Sequence, residues 1–323
     1  MARTRLYRNG VLESENFPVD DVSEHLADPS ATVWLDFCGP SAADLAAIAD
    51  ELGLHEIAVE GAVHQNQRAK VDCFDTHALL TAYSVHLDGR TGTLASCELS
   101  AFITDRALVT VRKNERFDID AVVQRWDSAS ALAKSGVGFL VHGLLDYVVD
   151  GHFEAAQIMD EQIEELEDLV FDERPQHARL QRRSLHLRKS LVHLRRVVLP
   201  MREVVNTLMR RDLALVDDAM TPYYQDVYDH VLRASEWTES LRDLITTIRE
   251  TQLNLQSYQL NTIMKKVTGW AAIIAVPTAI TGFYGQNVPY PGFQSIWGFW
   301  ASTVMIFVIS GALYLSFRKR DWL

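Results

Sequence analysis

The sequence lacks the motifs that most enzymes and small metal-binding domains carry. It has only three cysteines in 323 residues, Cys38, Cys73 and Cys97, and no two of them have CxxC spacing. These residues are therefore expected to be reduced thiols of a cytosolic domain, without a zinc site or a disulfide framework. The sequence also has no P-loop, no nucleophile elbow and no His/Glu zinc motif. We therefore expect neither an enzyme nor an organic cofactor.

Positive charge is scarce as well. The chain has 31 lysines and arginines against 43 aspartates and glutamates, which gives a net charge of −12. Because two long runs near the C-terminus are uncharged, the excess negative charge must lie on the water-soluble part. An acidic surface disfavours nucleic acid as a partner and suits cations. The first ten residues contain no apolar run, so no signal peptide is predicted.

The two uncharged runs cover residues 267–286 and 296–317. About twenty apolar residues at a helical rise of 1.5 Å extend about 30 Å, which is the thickness of the hydrocarbon core of a bilayer. Each run therefore predicts a transmembrane helix in contact with lipid. A buried hairpin in a soluble core is the alternative, but two adjacent uncharged runs of this length are rare in soluble cores.

The orientation in the membrane follows from lysine and arginine. Lys265 and Lys266 precede the first run, and the tail at 318–323 begins with Arg-Lys-Arg, whereas the loop at 287–295 has no charged residue. Basic residues stay on the cytoplasmic side. The protein is therefore predicted to cross the cell (inner) membrane twice, with both termini in the cytoplasm and the loop outside.

The segments before the membrane part have three different patterns. Residues 1–135 alternate strand and helix signals, which predicts an α/β or α+β cytosolic domain. Residues 136–213 predict an acidic helix followed by a basic helix, arranged as an antiparallel hairpin with a kink at Pro200. Strands are expected at 32–37, 78–87, 93–103 and 107–112, a helix capped by Ser41 after the first strand, and a short helix at 55–63.

Residues 221–286 predict one long helix, here called the stalk, that is continuous with the first transmembrane helix. Apolar residues recur along it with coiled-coil-like spacing, and about sixty helical residues extend about 90 Å. A helix of this length cannot bury its apolar face in one globular core. The stalk therefore predicts an oligomer.

The end of the first span carries a family resemblance. Tyr284-Gly285-Gln286-Asn287, a short loop, a second span and a basic tail ending in Trp-Leu resemble the CorA family of divalent cation channels. The segment YYQDVYDH at 223–230 resembles the start of the family's stalk helix. The usual family motif is Gly-Met-Asn, so this chain carries a Gly-Gln-Asn variant, and the zinc-transporting ZntB branch also varies the middle residue. The resemblance implies a CorA-like fold and a homopentamer.

Within such an oligomer the first span would line the pore. Its inner stripe at helical spacing would be Met264, Val267, Ala271, Ala275 and Thr278. The stripe has no carboxylate, so it suits a hydrated Mg²⁺, which loses its water reluctantly. Met264 and Val267 are candidate hydrophobic gate residues, although each aliphatic position is equally consistent with helix packing. The resemblance makes Gly285, Gln286 and Asn287 the selectivity filter.

Regulation by intracellular divalent cations is implied by the same resemblance. Asp226 lies where the family places a carboxylate of an inter-subunit metal site, and Asp72 or Asp75 of a neighbouring subunit would be its partner. A solvated aspartate near a helix start, favoured by the helix dipole, is the alternative. Regulation through the acidic hairpin and the basic tail is a further alternative.

These features predict a homopentameric channel or transporter for divalent cations, Mg²⁺ first and Co²⁺ or Ni²⁺ next. Mg²⁺ would be both the transported and the regulatory ion. One alternative is a ZntB-like carrier for Zn²⁺ or another transition metal ion, with or without proton coupling. The other is a membrane-tethered scaffold or sensor that conducts nothing.

Overall fold

The computed structural model describes residues 2–64, 67–170, 177–210, 215–286, 289–320 and 322. The chain forms two compact units, Met1–Thr246 and Thr247–Leu323. The strands are β1 (Arg3–Arg8), β2 (Val11–Glu15), β3 (Ala31–Cys38), β4 (Lys70–Cys73), β5 (Ala78–Asp88), β6 (Thr93–Ile103) and β7 (Ala107–Arg112). The helices are α1 (Val22–Leu26), α2 (Ala42–Leu52), α3 (Glu56–Val63), α4 (Ile119–Ser128), α5 (Val137–Val170), α6 (His177–Val198), α7 (Met201–Leu208), α8 (Thr221–Tyr284) and α9 (Ile296–Lys319).

The seven strands form one mixed sheet in the order β2-β1-β3-β7-β6-β5-β4. β3 and β7 are parallel, and every other neighbouring pair is antiparallel. The expected strands agree with β3, β5, β6 and β7 to within one residue at each end. Ser41 caps α2, as expected, and shares a reciprocal capping box with Asp44.

The sheet is covered on both faces, which accounts for the apolar character of its central strands. On one face α2 and α3 pack through Leu45, Ile48 and Ala58. The other face packs against α4, α5 and α7, and Trp34 and Trp126 meet edge to face there at 4.9 Å. Residues 1–135 and 136–213, which differ in sequence pattern, therefore share one hydrophobic core.

The helical region after α5 is interrupted at Pro200, the residue at which the sequence predicts a kink. α6 ends at Val198 and α7 begins at Met201, so the helix stops at Pro200 and restarts. The interruption therefore lies at the expected residue, and the structure shows it as a break of two residues between two helices. The physical reason is that proline has no N–H to donate and its ring crowds the preceding turn. Here Pro200 is buried and lies immediately before the first residue of α7.

The second unit consists of the C-terminal part of α8, a loop and α9. Windows of α8 and α9 have mean hydropathies of 1.4 and 1.8, and only 6% of each window is buried. Pro277 lies inside α8 without ending it. Together with the α+β domain of the first unit, these two C-terminal apolar helices confirm the fold class expected from the sequence.

Candidate functional site

A stripe of small and aliphatic side chains runs along the membrane-length part of α8. Met264, Val267, Ala271, Ala275 and Thr278 are separated by three or four residues, so they share one face of the helix. All five are exposed, and none carries a charge. This face is therefore available to line a space shared with other helices.

Thr278 is the polar member of this stripe. Its hydroxyl donates a 3.0 Å hydrogen bond to the carbonyl oxygen of Ile274, one turn earlier. Because the hydroxyl hydrogen is used within the helix, the oxygen is left as an acceptor. The waters around a cation point their hydrogens outward, so an acceptor at this position suits a hydrated cation.

The expected filter begins where α8 ends. The Gly285 N–H donates to the Thr281 carbonyl oxygen at 2.8 Å, and the Gln286 N–H donates to that of Phe283 at 3.3 Å. Both residues are exposed. The chain thus leaves the helix through a tight turn that presents Gly285 and Gln286 to solvent. Asn287, the third expected filter residue, lies outside the described residues.

An aromatic cluster supports this helix end, and the sequence reasoning did not find it. The Tyr290 hydroxyl donates to the Tyr284 carbonyl oxygen at 2.7 Å, and the two rings meet edge to face at 5.1 Å. Phe283 and Phe293 lie against Tyr290 at ring distances of 6.1 and 5.3 Å. One signal in the sequence could have indicated this cluster. The last carbonyls of a helix are unpaired, and a tyrosine follows the end of α8 six residues later.

The loop is also fixed to the start of α9. Gly292 has a φ of +90°, and Gly298 lies in the first turn of α9. A Cβ atom added to Gly298 would lie 2.5 Å from the Gly292 carbonyl oxygen. The loop backbone therefore approaches α9 more closely than any other residue at position 298 would allow.

The expected regulatory residue Asp226 lies near the start of α8. Its side chain is 68% exposed, and the His230 Nε2 atom is 3.9 Å from its carboxylate. This part of α8 is held by Tyr224, whose buried hydroxyl donates to the Gly138 carbonyl oxygen at 2.9 Å. Asp226 is thus an exposed carboxylate on a firmly packed helix start.

The expected partners of Asp226 lie on β4 and the turn after it. Asp72 forms an ion pair with Lys70 at 2.6 Å, and Asp75 is exposed beside a cavity of about 770 Å³ at one end of the sheet. Among the residues that the structure describes, no group of three or more His, Cys, Asp or Glu side chains could hold a metal ion. One chain alone therefore offers Asp226, Asp72 and Asp75 as separate carboxylates.

Matches to a protein family, to curated proteins and to a solved structure cover most of this chain. A family model described as CorA-like Mg²⁺ transporter protein matches residues 29–319. The cobalt/magnesium transport protein CorA of Thermotoga maritima is 28% identical over 96% of this chain and 90% of that protein. The zinc transport protein ZntB of Pectobacterium atrosepticum is 23% identical over 80% of this chain and 78% of that protein. The solved structure of the complete CorA magnesium transporter from Methanocaldococcus jannaschii has a TM-score of 0.78 at 21% identity, covering 100% of this chain and 99% of that one.

Proposed function

The chain belongs to the CorA-like Mg²⁺ transporter family, and we propose that it acts as a homopentameric channel whose main ion is Mg²⁺. Members of this family are membrane proteins that transport divalent cations, and they are not enzymes. Five copies would place their first spans around a central axis. Both termini would lie in the cytoplasm and the spans in the cell (inner) membrane, because the basic residues flank the spans on one side only.

The observation that carries the proposal is the exposed, uncharged stripe on α8. Two spans cannot enclose a water path, but five copies of this stripe can. Without a carboxylate the stripe cannot replace the hydration shell of Mg²⁺, so the ion would pass with its waters. The free acceptor of Thr278 and the ring of Asn287 amides would then hold those waters through hydrogen bonds.

Gly285, Gln286 and Asn287 are proposed as the filter, and Met264 and Val267 as the gate. Two rings of aliphatic side chains at the narrow end of a pore exclude water when they approach each other, which stops a hydrated ion. Gln286 adds an amide where the family's usual motif has methionine. We therefore propose that residue 286 adjusts ion preference, with Co²⁺ and Ni²⁺ as further candidate ions.

Asp226 is proposed as one ligand of a regulatory divalent site between copies, with Asp72 or Asp75 of the next copy as the other. A cation shared by two carboxylates would favour one arrangement of the helices. Its loss would leave like charges facing each other and remove that preference. The exposure of Asp226 and Asp75 supports the proposal, because both are accessible to a second chain, whereas Asp72 is half-buried and paired with Lys70.

A ZntB-like transporter for Zn²⁺ is the second candidate. It is favoured by the similarity to ZntB and by glutamine at position 286. The two candidates differ in uptake by purified protein in liposomes. The magnesium channel takes up Mg²⁺ without a pH gradient, whereas a proton-coupled zinc carrier takes up Zn²⁺ faster when the outside is acidic.

Cysteine modification tests the pore-lining face directly. The three native cysteines are first replaced by serine, and Ala275→Cys is compared with Ile273→Cys. Position 275 lies on the stripe, and position 273 lies on the opposite side of the same helix. We expect a charged, water-soluble thiol reagent to stop uptake through Ala275→Cys and to leave Ile273→Cys active. Equal sensitivity of the two variants would contradict the proposed pore.

A further inference from the structure

The outward face of α6 carries two parallel rows of side chains that the transport function does not use. Opposite its buried leucines, the helix exposes Leu185 and Val192, and Leu199 follows directly after its end, with exposed fractions of 67%, 52% and 42%. A basic row lies beside them and is also exposed: Arg182, Lys189 and Arg196. In both rows the spacing is seven residues, which is about 10 Å along a helix.

The outward face of α5 carries the matching acidic row. Glu154, Glu161 and Asp168 are all exposed and are again separated by seven residues. Three carboxylates on α5 therefore repeat at the same interval of about 10 Å as the three cations on α6. Two helices packed side by side can pair such rows at three points without bending.

The basic row of α6 and the acidic row of α5 do not meet within one chain. α5 and α6 pack against each other, Leu166 and Leu187 are buried, and Arg183 of α6 pairs with Glu165 of α5. In the described parts of both helices, no ion pair involves the six residues of the basic row and the acidic row. Both rows are exposed, so a protein group that pairs with either of them would come from outside the chain.

We propose that the outward face of α6 docks against the acidic row of α5 on a second copy of this chain. The inference rests on the proposed homo-oligomer. The contact joins two different surfaces, so in the proposed closed ring it repeats between neighbours and leaves no copy unpaired. Leu185, Val192 and Leu199 would lose water on docking, and the three ion pairs would fix the register of the two helices.

The matched interval favours a second copy over an anionic membrane surface. Lipid headgroups are mobile and require no fixed spacing of cations. The chain has a net charge of −12, yet one row on α6 holds three cations at the interval of the carboxylate row on α5, so its two surfaces are complementary to each other. The central pair, Lys189 with Glu161, meets whether the docked helices run parallel or antiparallel.

The test uses full-length protein in mild detergent, with the native cysteines replaced by serine. The pair Lys189→Cys and Glu161→Cys should form disulfide-linked dimers and higher species on oxidation. The matched control, Lys189→Cys with Glu51→Cys, should not, because exposed Glu51 lies on α2 at the opposite face of the sheet. Native mass measurement on the same samples shows whether the oligomer has formed.

Charge reversal is the second test of the docked contact. Cross-linking is then followed through a second cysteine pair. Arg182→Cys with Asp168→Cys reports on antiparallel helices, and Arg182→Cys with Glu154→Cys reports on parallel helices. In the pair that cross-links, we expect Lys189→Glu to lower cross-linking about three- to fivefold. Adding Glu161→Lys should restore it. An intact oligomer without cross-links would overturn this inference and leave the channel proposal standing, whereas a monomer would overturn both. An effect of Lys189→Glu seen only in vesicles with phosphatidylglycerol would also overturn it, in favour of a membrane contact.

Discussion

The Tyr290 hydroxyl donates a 2.7 Å hydrogen bond to the carbonyl oxygen of Tyr284, the last residue of α8. The final carbonyls of a helix have no partner within the helix. Tyr290 supplies one from the loop and packs its ring on the same residue. Since Gly285 and Gln286 follow directly, this bond fixes the direction in which the chain enters the proposed filter.

Tyr290→Phe tests this relationship. The substitution keeps the ring contacts and removes only the hydroxyl, which costs about 1 kcal/mol for one hydrogen bond. We expect Mg²⁺ uptake in liposomes to fall by up to about fivefold while the oligomer stays intact. Tyr314→Phe, a loss of the same hydroxyl within α9, is the matched control and should behave like wild type. Equal uptake by both variants would show that the bond does not position the filter.

The contact of Gly298 with the loop predicts that two glycines of α9 differ in their tolerance of alanine. Gly298→Ala would place a methyl group 2.5 Å from the Gly292 carbonyl oxygen, so the loop must move. Gly311→Ala is the control in the same helix, because nothing lies within 4 Å of a Cβ there. We expect Gly298→Ala to lower uptake and Gly311→Ala to leave it unchanged. Uptake that falls equally in both variants would assign the effect to helix propensity.

Strands were predictable from the sequence where one pattern decided them. β5, β6 and β7 are β-rich runs bounded by turns, and their limits follow from that pattern. β1 was missed because it contains three arginines, and β2 because three of its five residues are polar. Arg5 is buried all the same, because it pairs with Glu15 at 2.5 Å and with Asp127 at 2.7 Å. Asp127 comes 122 residues later, so local sequence cannot reveal this compensation.

The candidate site also has one part that the sequence predicts and another that it does not. The stripe from Met264 to Thr278 could be predicted from helical spacing alone, because a regular helix fixes which residues share a face. The Tyr290 contact could not, because it depends on how an irregular loop folds back. The roles of Asp226, Asp72 and Asp75 remain predictions, since each requires a second chain.

His152 predicts a pH dependence of stability. The side chain is buried on α5, its Nε2 atom lies 2.7 Å from the Tyr83 carbonyl oxygen, and burial lowers the pKa of His152 from 6.5 to about 4. The folded pKa is depressed, so its contribution is complete above pH 6.5 and is lost as the pH falls towards 4. A shift of this size corresponds to about 3 kcal/mol.

We therefore expect the melting temperature of the purified protein to fall more steeply between about pH 6.5 and pH 4.5 in wild type than in His152→Gln. His186→Gln, a change on the exposed face of α6, is the control and should keep the wild-type slope. Parallel slopes in wild type and His152→Gln would show that another group controls acid stability.

Asp226→Ala separates the two proposed routes of regulation. Loss of this carboxylate should weaken the inter-subunit cation site and raise uptake at high intracellular Mg²⁺, and Mg²⁺ should protect the variant less against proteolysis. The comparison variant reverses the charges of Glu164 and Glu165 on α5. Wild-type behaviour of Asp226→Ala, together with altered flux in the α5 variant, would assign regulation to the acidic helix and the basic tail.

Ion-resolved uptake by wild type and Asn287→Ala, reconstituted in parallel, tests the central claim most directly. The claim is that five first spans form a pore for hydrated Mg²⁺ whose outer end is a ring of Asn287 amides. It predicts Mg²⁺ entry without a pH gradient in wild type, and its loss in Asn287→Ala while native mass still gives a pentamer. Absence of divalent uptake in wild type, or wild-type uptake by the variant, would contradict it.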